Sequence, residues 1–342
     1  MKDKLSIGIV GFGRIVELIH LQLIKENPGL EVGGVYDITP QRAQLAAKRG
    51  LHVYGSLEEL LDSPVDAVLI ATPHNSHFPI AMQAMRAGKH VIVEKPVGLN
   101  ADEAVKLKQT AEQENRIITV FHNRRYDSDF LLVKQLIQEG VLGPIMFVER
   151  RHHSFGSGAF FGVKSFYPAW REEKGYGGGT LLDWGVHMAD QLLQLGLGPC
   201  RQVRAVTNAF WNPHGEVEEY LQAQITLGEY VQFSMEINFA SAAQLPLWVV
   251  GGREATLQVM SDREAVLYEG GKRTKEFTMT PSRMGSLLIY DSFAEAIRTG
   301  GCPAVTIEET IETMQLLDRI RDSASSQGGY HGDLVLGAAA RV

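Results

Sequence analysis

From residue 5 to about residue 122 the chain alternates short apolar runs with segments of helical periodicity. That alternation predicts a parallel sheet with crossover helices. "LSIGIV" (5–10), "LEVGGVY" (30–36), "DAVLIAT" (66–72), "HVIVEKP" (90–96) and "RIITVF" (116–121) read as strands. Helices are predicted after "GFGR" through Ile24, from "PHNSH" to Ala87, and over 101–114. The strands are apolar on successive positions, as expected where helices cover both faces of a sheet.

The pattern changes near residue 123. A helix at 127–139 ends at "GVLGP", and β-rich runs follow at 145–153, 200–210, 218–227, 230–239, 247–252, 255–260 and 264–270. Several alternate with period two between polar or glycine turns, which predicts a large, mostly antiparallel open sheet. A helix at 306–322 closes the fold, and a Gly- and Ala-rich tail runs to Val342. Between the first two of these strands lie a long Gly- and aromatic-rich loop (155–179) and the segment "GGGTLLDWGVHMAD" (177–190). Loops of this length and composition are often functional. The expected organisation is a doubly wound α/β domain over 1–122, followed by an α+β domain over 123–342.

Composition narrows the class of function. The 342 residues are 44% hydrophobic and 21% charged, enough for two domains with cores. The formal charge of −7, with no basic run, argues against a nucleic-acid partner. Cys200 and Cys302 make neither a disulfide framework nor a CxxC metal site, which points to a reducing compartment. No apolar run approaches the ~18 residues of a membrane span. The basic start "MKDK" leads into a run too short for a signal peptide. A cytoplasmic protein is expected.

Three local patterns carry candidate chemistry. Gly11 and Gly13 follow the first strand and precede a helix, as the first two glycines of a dinucleotide-binding turn do. Gly11 permits the tight turn, and Gly13 lets backbone approach a pyrophosphate at a helix N-terminus. Val16 stands where a third glycine would pack helix on strand. Alone, such a turn is an ordinary strand-to-helix connection. Asp37, ending the second strand, supplies the context: an acid there accepts ribose hydroxyls and repels the extra phosphate of NADP. An N-cap or turn role is its alternative. The constellation predicts a Rossmann-type fold and NAD, with NADP as the second choice.

The second pattern is "EKP", Glu94 to Pro96, at a strand exit where open α/β sheets bind ligands. Lys95 there stabilises a developing alkoxide or shifts a neighbour's pKa. Its alternative is a solvated pair with Glu94. The third is the stripe of Asp183, His187 and Asp190, which share one face of a helix at ~100° per residue. Such a stripe is a solvated face, a set of metal ligands, or catalytic machinery. Its ligands all come from one helix with no remote partner motif, which ranks the metal reading last and leaves the expected metal content at none. Gly185 in mid-helix costs about 1 kcal/mol against Ala and marks a close approach.

"ATPHNSHFPIAMQAMRAGKHVIVEKP" (71–96) together with "GGGTLLDWGVHMAD" resembles the two signatures of the Gfo/Idh/MocA oxidoreductases, the glucose–fructose oxidoreductase and inositol dehydrogenase family. The resemblance covers essentially the whole chain. "HNRRYDSDF" (122–130) further resembles the sugar and inositol dehydrogenase branches. It implies an NAD(P)-dependent oxidoreductase that moves a hydride between nicotinamide and a hydroxyl of a sugar, inositol or related polyol. Lys95, Asp183 and His187 are then the catalytic group. His187 takes the hydroxyl proton, Lys95 stabilises the alkoxide, and Asp183 orients the ring or shares the substrate hydroxyls, while Asp190 stays structural.

The implied cofactor contacts begin with Gly11, Phe12, Gly13, Arg14 and Ile15 of the turn, and Asp37. Thr72, Pro73, Asn75 and His77 follow, then Glu94 with Lys95, and Trp170 with Arg171 of the long loop. Asn123, Arg124, Tyr126 and one of His152 and His153, with His153 the favoured contact, join the catalytic group around the substrate. A homodimer or homotetramer through the second sheet is implied as well. Two other functions fit the same fold: a non-catalytic dinucleotide-sensing regulator, and a hydrolase or lyase that cycles NAD on a sugar.

Overall fold

A computed structural model describes residues 4–157, 166–211, 215–282 and 284–326. Residues 158–165 of the long loop and the tail from 327 to Val342 lie outside the described residues. The first sheet holds β1 (Leu5–Val10), β2 (Leu30–Tyr36), β3 (Ala67–Ile70), β4 (His90–Val93) and β5 (Ile118–Val120). All its pairings are parallel, in the order β2-β1-β3-β4-β5. Every residue of β3 is shielded from solvent, because helices lie on both faces. The chain reverses direction of winding at β1, which leaves a crevice beyond the carboxyl ends of β1 and β3.

The crossovers are α2 (Pro40–Lys48), α3 (Leu57–Asp62), α4 (His74–Arg86) and α5 (Ala101–Gln113), while α1 (Leu21–Glu26) is preceded by a π turn over Val16–His20. Capping side chains fix where two of them start. Ser56 accepts from Glu59 N–H at 3.1 Å, and Asn100 accepts from Glu103 N–H at 3.0 Å. The two glutamates reach back to Gly55 and Leu99 N–H, so donors orphaned at the helix starts are satisfied in both directions.

Among the described residues the second sheet has eight strands in the order β13-β12-β11-β10-β6-β9-β8-β7. They are β6 (Ile145–His153), β7 (Cys200–Asn208), β8 (Tyr220–Leu227), β9 (Val231–Asn238), β10 (Trp248–Gly252), β11 (Ala255–Val259), β12 (Glu264–Glu269) and β13 (Lys272–Thr278). All pairings are antiparallel except β6 with β9. Leu221, Ala223, Ile225 and Phe233, Met235, Ile237 turn one face to the core, as period two requires. α6 (Ser128–Gln138) and α7 (Val186–Gln194) cover that face: Trp248 Nε1–H donates to Asp129 at 2.9 Å, and Arg150 Nε–H to Gln191 at 3.3 Å.

The last helices return to the first sheet. α8 (Leu287–Thr299) packs on α1, and α9 (Ile307–Ser326) on α5, α7 and β7. Thr119 Oγ1 donates to Val305 O at 2.8 Å, and Ala101 N–H to Asp318 at 2.8 Å. No helix among the described residues is long and apolar enough to cross a membrane.

Candidate functional site

The glycine turn is built at the crevice. Gly11 has φ +91°, and a Cβ on it would lie 2.6 Å from the Ala71 carbonyl at the exit of β3. Only glycine fits that conformation and that contact. Asp37 closes the turn from the neighbouring strand, accepting from Phe12 N–H at 2.6 Å and Thr39 N–H at 2.7 Å. Each carboxylate oxygen keeps acceptor capacity for a ligand. Phe12 reaches the site only through its backbone, because its ring is buried and lies under the Arg42 guanidinium at 5.5 Å. Arg42 also donates to the Phe12 carbonyl at 2.6 Å and pairs with Glu17, a carboxylate it shares with Arg49.

From this turn a cavity of about 820 Å³ runs along the carboxyl ends of β1 to β4 toward α7. Arg14 and Ile15 line it at the turn, then Asp37, Thr72, Pro73 and Asn75. His77, Glu94 and Lys95 form its floor at the neighbouring strand exits. The His77 ring bridges those exits, with its nitrogens 2.7 Å from the Pro96 carbonyl and 2.8 Å from that of Thr72.

The described part of the long loop closes over the cavity. His74 Nδ1 lies 2.8 Å from Gly177 O, and Asn75 Nδ2–H donates to Gly175 O at 3.0 Å. Trp170 packs edge-on against His74 with ring centroids 4.8 Å apart, and Arg171 lies over the Trp170 ring at 4.2 Å. Trp170 and Arg171 therefore line the cavity from the loop side.

The far end gathers the ionisable groups. Lys95 Nζ donates to both the backbone carbonyl and Oδ1 of Asp183, each at 2.9 Å. Arg171 Nε stands 3.3 Å from the other carboxylate oxygen. Burial alone would push the Asp183 pKa up, but Lys95 and Arg171 outweigh it and hold the group well below the usual carboxylate range. Asp183 thus serves Lys95 rather than the His187 ring, a correction to the orienting role expected from the one-turn spacing. The local helix explains it. Leu181–Gly185 is a π turn, with α7 starting only at Val186, so the Asp183 carboxylate leaves the α-helical stripe.

His187 lines the cavity at 7% exposure, and its Nδ1 is buried with no hydrogen-bond partner among the described residues. Burial first, then the charges of Lys95 and Arg124, keep its pKa well below the ordinary value. The imidazole is neutral through physiological pH and able to accept a proton. Trp184 forms the adjoining wall, stacked on His152 with centroids 3.4 Å apart and under Arg124 at 4.5 Å. Asn123 and Arg124 complete this end.

Two expected substrate contacts fall elsewhere. Tyr126 does not line the cavity; its ring packs against Gly285, where an added Cβ would lie 2.4 Å from the Tyr126 Cβ. His153 does not line it either. Strand alternation sends His152 toward Trp184 and His153 toward Glu236, at 3.6 Å. The cavity also uses residues not expected from sequence as contacts. Trp184 sits inside the "DWGVH" segment, and its position between two candidate polar residues is the signal for it; His74, which the sequence places beside the switch-point crevice, lines the cavity as well.

Asp190 is not on a solvated face. It is 2% exposed and accepts from Arg125 Nε at 2.9 Å and Nη2 at 2.6 Å, while Arg125 Nη1 reaches Glu309 on α9 at 2.8 Å. Removing it leaves a buried guanidinium half-paired. Asp190→Ala is expected to cost about 3–5 kcal/mol of unfolding free energy, read from urea denaturation, with NADH affinity retained in the folded fraction. A loss under about 1 kcal/mol would return Asp190 to the value of a surface pair.

The residues at the turn fit a dinucleotide: an open glycine, an acid bound by two backbone donors, and a crevice continuing to a paired lysine and a neutral histidine. Comparisons with known proteins agree. Residues 5–122 match the model of the "Oxidoreductase family, NAD-binding Rossmann fold", and residues 130–258 match the "GFO/IDH/MocA C-terminal domain". The scyllo-inositol 2-dehydrogenase (NADP(+)) IolW of Bacillus subtilis is 28% identical over 95% of each chain. The uncharacterized oxidoreductase YdgJ of Escherichia coli is 35% identical over 57% of this chain, a match that spans only 54% of YdgJ. A crystal structure of an NAD-binding protein from Listeria innocua superposes with a TM-score of 0.84 and 31% identity, over 95% of this chain and 96% of that one.

Proposed function

The chain belongs to the Gfo/Idh/MocA oxidoreductase family, and from that premise we propose that it is an NAD-dependent dehydrogenase acting on a secondary hydroxyl of a sugar, inositol or related polyol. The observation that carries this reading is the Lys95–Asp183 pair beside His187 at the end of a crevice that starts on a glycine turn. A bound nicotinamide supplies the hydride acceptor. Gly11, Gly13 and Asp37 would hold the cofactor at the turn and the ribose, and Thr72, Asn75 and Trp170 would flank it.

The chain's own residues then manage the proton. Lys95 spends two of its ammonium protons on Asp183, and the third is free to meet the substrate oxygen. Asp183, held ionised, fixes the ammonium in place without competing as a proton acceptor. His187 Nε2 takes the hydroxyl proton as hydride leaves the same carbon, and Nδ1 keeps its own. The loop residues over the cavity exclude water. A regulator that only senses a dinucleotide has no need of a buried base beside a paired ammonium.

IolW is named for NADP(+), but Asp37 favours NAD here. Its carboxylate already sits at the turn, and Arg42, a nearby cation, is tied to Glu17 and the Phe12 carbonyl. NADH is expected to bind at least about tenfold more tightly than NADPH, on the order of 1.4 kcal/mol, and Asp37→Ala should shrink that ratio. Fluorescence titration of both cofactors checks it; tighter NADPH binding by the wild type sinks the assignment. The activity itself is tested with a panel of inositols, aldoses and sugar acids, following NADH absorbance. Binding of NADH without turnover of any panel member would remove the polyol reading.

A further inference from the structure

Below the cavity floor runs a hydrogen-bonded chain that the proton chemistry above does not use. Glu94, just past the end of β4, lines the cavity and is 7% exposed. Its Oε2 accepts from Lys95 N–H at 3.0 Å, and its Oε1 lies 2.9 Å from His20 Nε2. His20 sits in the π turn after the glycine turn, is fully buried, and packs on Phe121 with centroids 4.4 Å apart. Its Nδ1 lies 2.7 Å from the hydroxyl of Tyr290 on α8, also fully buried.

For a neutral imidazole the bonds have one self-consistent direction. A carboxylate only accepts, so Nε2–H donates to Glu94; Nδ1 then accepts, and the tyrosine hydroxyl donates to it. Burial alone would raise the Glu94 pKa, but the hydrogen bond from His20 and the Lys95 ammonium outweigh it and keep the carboxyl ionised. Three polar side chains from segments 270 residues apart in sequence are a costly way to fill a core, which apolar side chains fill with no polar group to satisfy. What the chain achieves, and an apolar filling would not, is a fixed, charged acceptor at the cavity floor. Two of the carboxylate's roughly four acceptor positions are used, which leaves capacity toward the cavity.

The acceptor stands where a specific donor would arrive. β4 is two strands from β1, so Glu94 lies about 10 Å from the glycine turn along the crevice. A ribose and a pyridine ring cover that span from the pyrophosphate. Resting on the reading that this cavity holds a nicotinamide dinucleotide, we propose that His20 and Tyr290 are positioning residues. They hold the Glu94 carboxylate as the acceptor for the carboxamide N–H of the nicotinamide end, beside Lys95. Helix α8, from the second half of the chain, thereby sets the orientation of the reacting ring in the first.

The test separates the nicotinamide end from the rest of the cofactor. ADP-ribose keeps the adenosine and pyrophosphate contacts but carries no carboxamide. Tyr290→Phe retains the ring packing and deletes only the hydroxyl. Kd values for NADH and ADP-ribose are measured by calorimetry on wild type, Tyr290→Phe and Glu94→Gln. Expected is a loss of about fivefold to tenfold in NADH affinity for Tyr290→Phe, more for Glu94→Gln, and ADP-ribose binding unchanged in both. Equal weakening of both ligands would make the chain a packing device and overturn the proposal, as would unchanged NADH binding. A wild type that binds neither ligand would overturn the dinucleotide reading itself, and the proposal with it.

Discussion

His187→Ala is expected to lower kcat by about 10²–10⁴-fold, the worth of a positioned acid–base group, while NADH affinity stays within about twofold. The residues assigned to the cofactor lie on the glycine turn, the strand exits and α4 of the first half and on the long loop at Trp170, whereas His187 is on α7 at the far end of the cavity. Lys95→Ala should be comparably damaging. It removes the ammonium beside the substrate oxygen and leaves Asp183 with Arg171 alone. Because the two groups act on one proton and one developing charge, the double variant should lose less than the product of the single losses.

The pH profile carries an independent sign. The competent form of His187 is neutral, and burial together with Lys95 and Arg124 depresses its pKa. Wild-type kcat/KM should therefore stay level as pH falls through about 6.5, the ordinary histidine value, and drop only below it. Lys95→Ala takes away a nearby positive charge, so the imidazole protonates more readily and the acid limb of the residual activity moves to higher pH. Steady-state kinetics on an accepted polyol, with cofactor Kd measured separately, read all of these. Near-normal turnover by a folded His187→Ala protein, or an acid limb that does not move in Lys95→Ala, would remove the base role.

Elements made of continuous apolar runs were legible from sequence. β1, β3 and β4 need no alternation, because both faces are covered, and their lengths distinguish them from helices. The edge strand β13, "KRTKEFT", was not legible. Lys272, Arg273, Lys275 and Glu276 make it mostly charged, as exposed edges are, and only the Gly270–Gly271 turn before it, with φ +54° and +78°, announces a hairpin. α8 has no counterpart among the predicted helices, although Ile289, Tyr290, Phe293 and Ala294 make a helical stripe; nor do α2 and α3, despite Pro40 and the Ser56–Glu59 cap.

At the site, sequence spacing located Asp183, His187 and Asp190 but not their division of labour. The π turn rotates Asp183 toward Lys95, 88 positions away, and Asp190 is drawn to Arg125, 65 positions away. Neither partnership leaves a local trace. The same limit explains Tyr126 and His153. A motif places a segment at the cavity, but which of its side chains enters is settled by tertiary packing. The Glu94–His20–Tyr290 chain has no sequence signature for that reason too, since its members share no motif.

Gly13→Val is expected to raise the Kd for NADH by about 100-fold or more, on the order of 2.7 kcal/mol, with little change in the unfolding midpoint. The two glycines of the turn differ in what they do. Gly11 is held by the fold itself: its φ of +91° and the Ala71 carbonyl 2.6 Å from an added Cβ mean that any side chain there deforms the strand exit. Gly13 has no such constraint, since an added Cβ would meet nothing within 4 Å among the described residues. The open space beside it is the cavity, which Gly13 lines. A valine there is thus tolerated by the protein and occupies the volume where a pyrophosphate would approach the backbone N–H groups of the turn. Each lost hydrogen bond to a charged oxygen is worth about 1.5–3 kcal/mol, so two suffice for the expected loss. Val16, where a third glycine is often found, is fully buried and packs in the core, away from the phosphate path, so its bulk leaves the cradle open. Calorimetric titration of NADH, paired with thermal unfolding of both proteins, reads the two quantities separately. A folded Gly13→Val protein that binds NADH normally would falsify the placement of the pyrophosphate on this turn, and with it the order in which the cofactor is laid along the crevice.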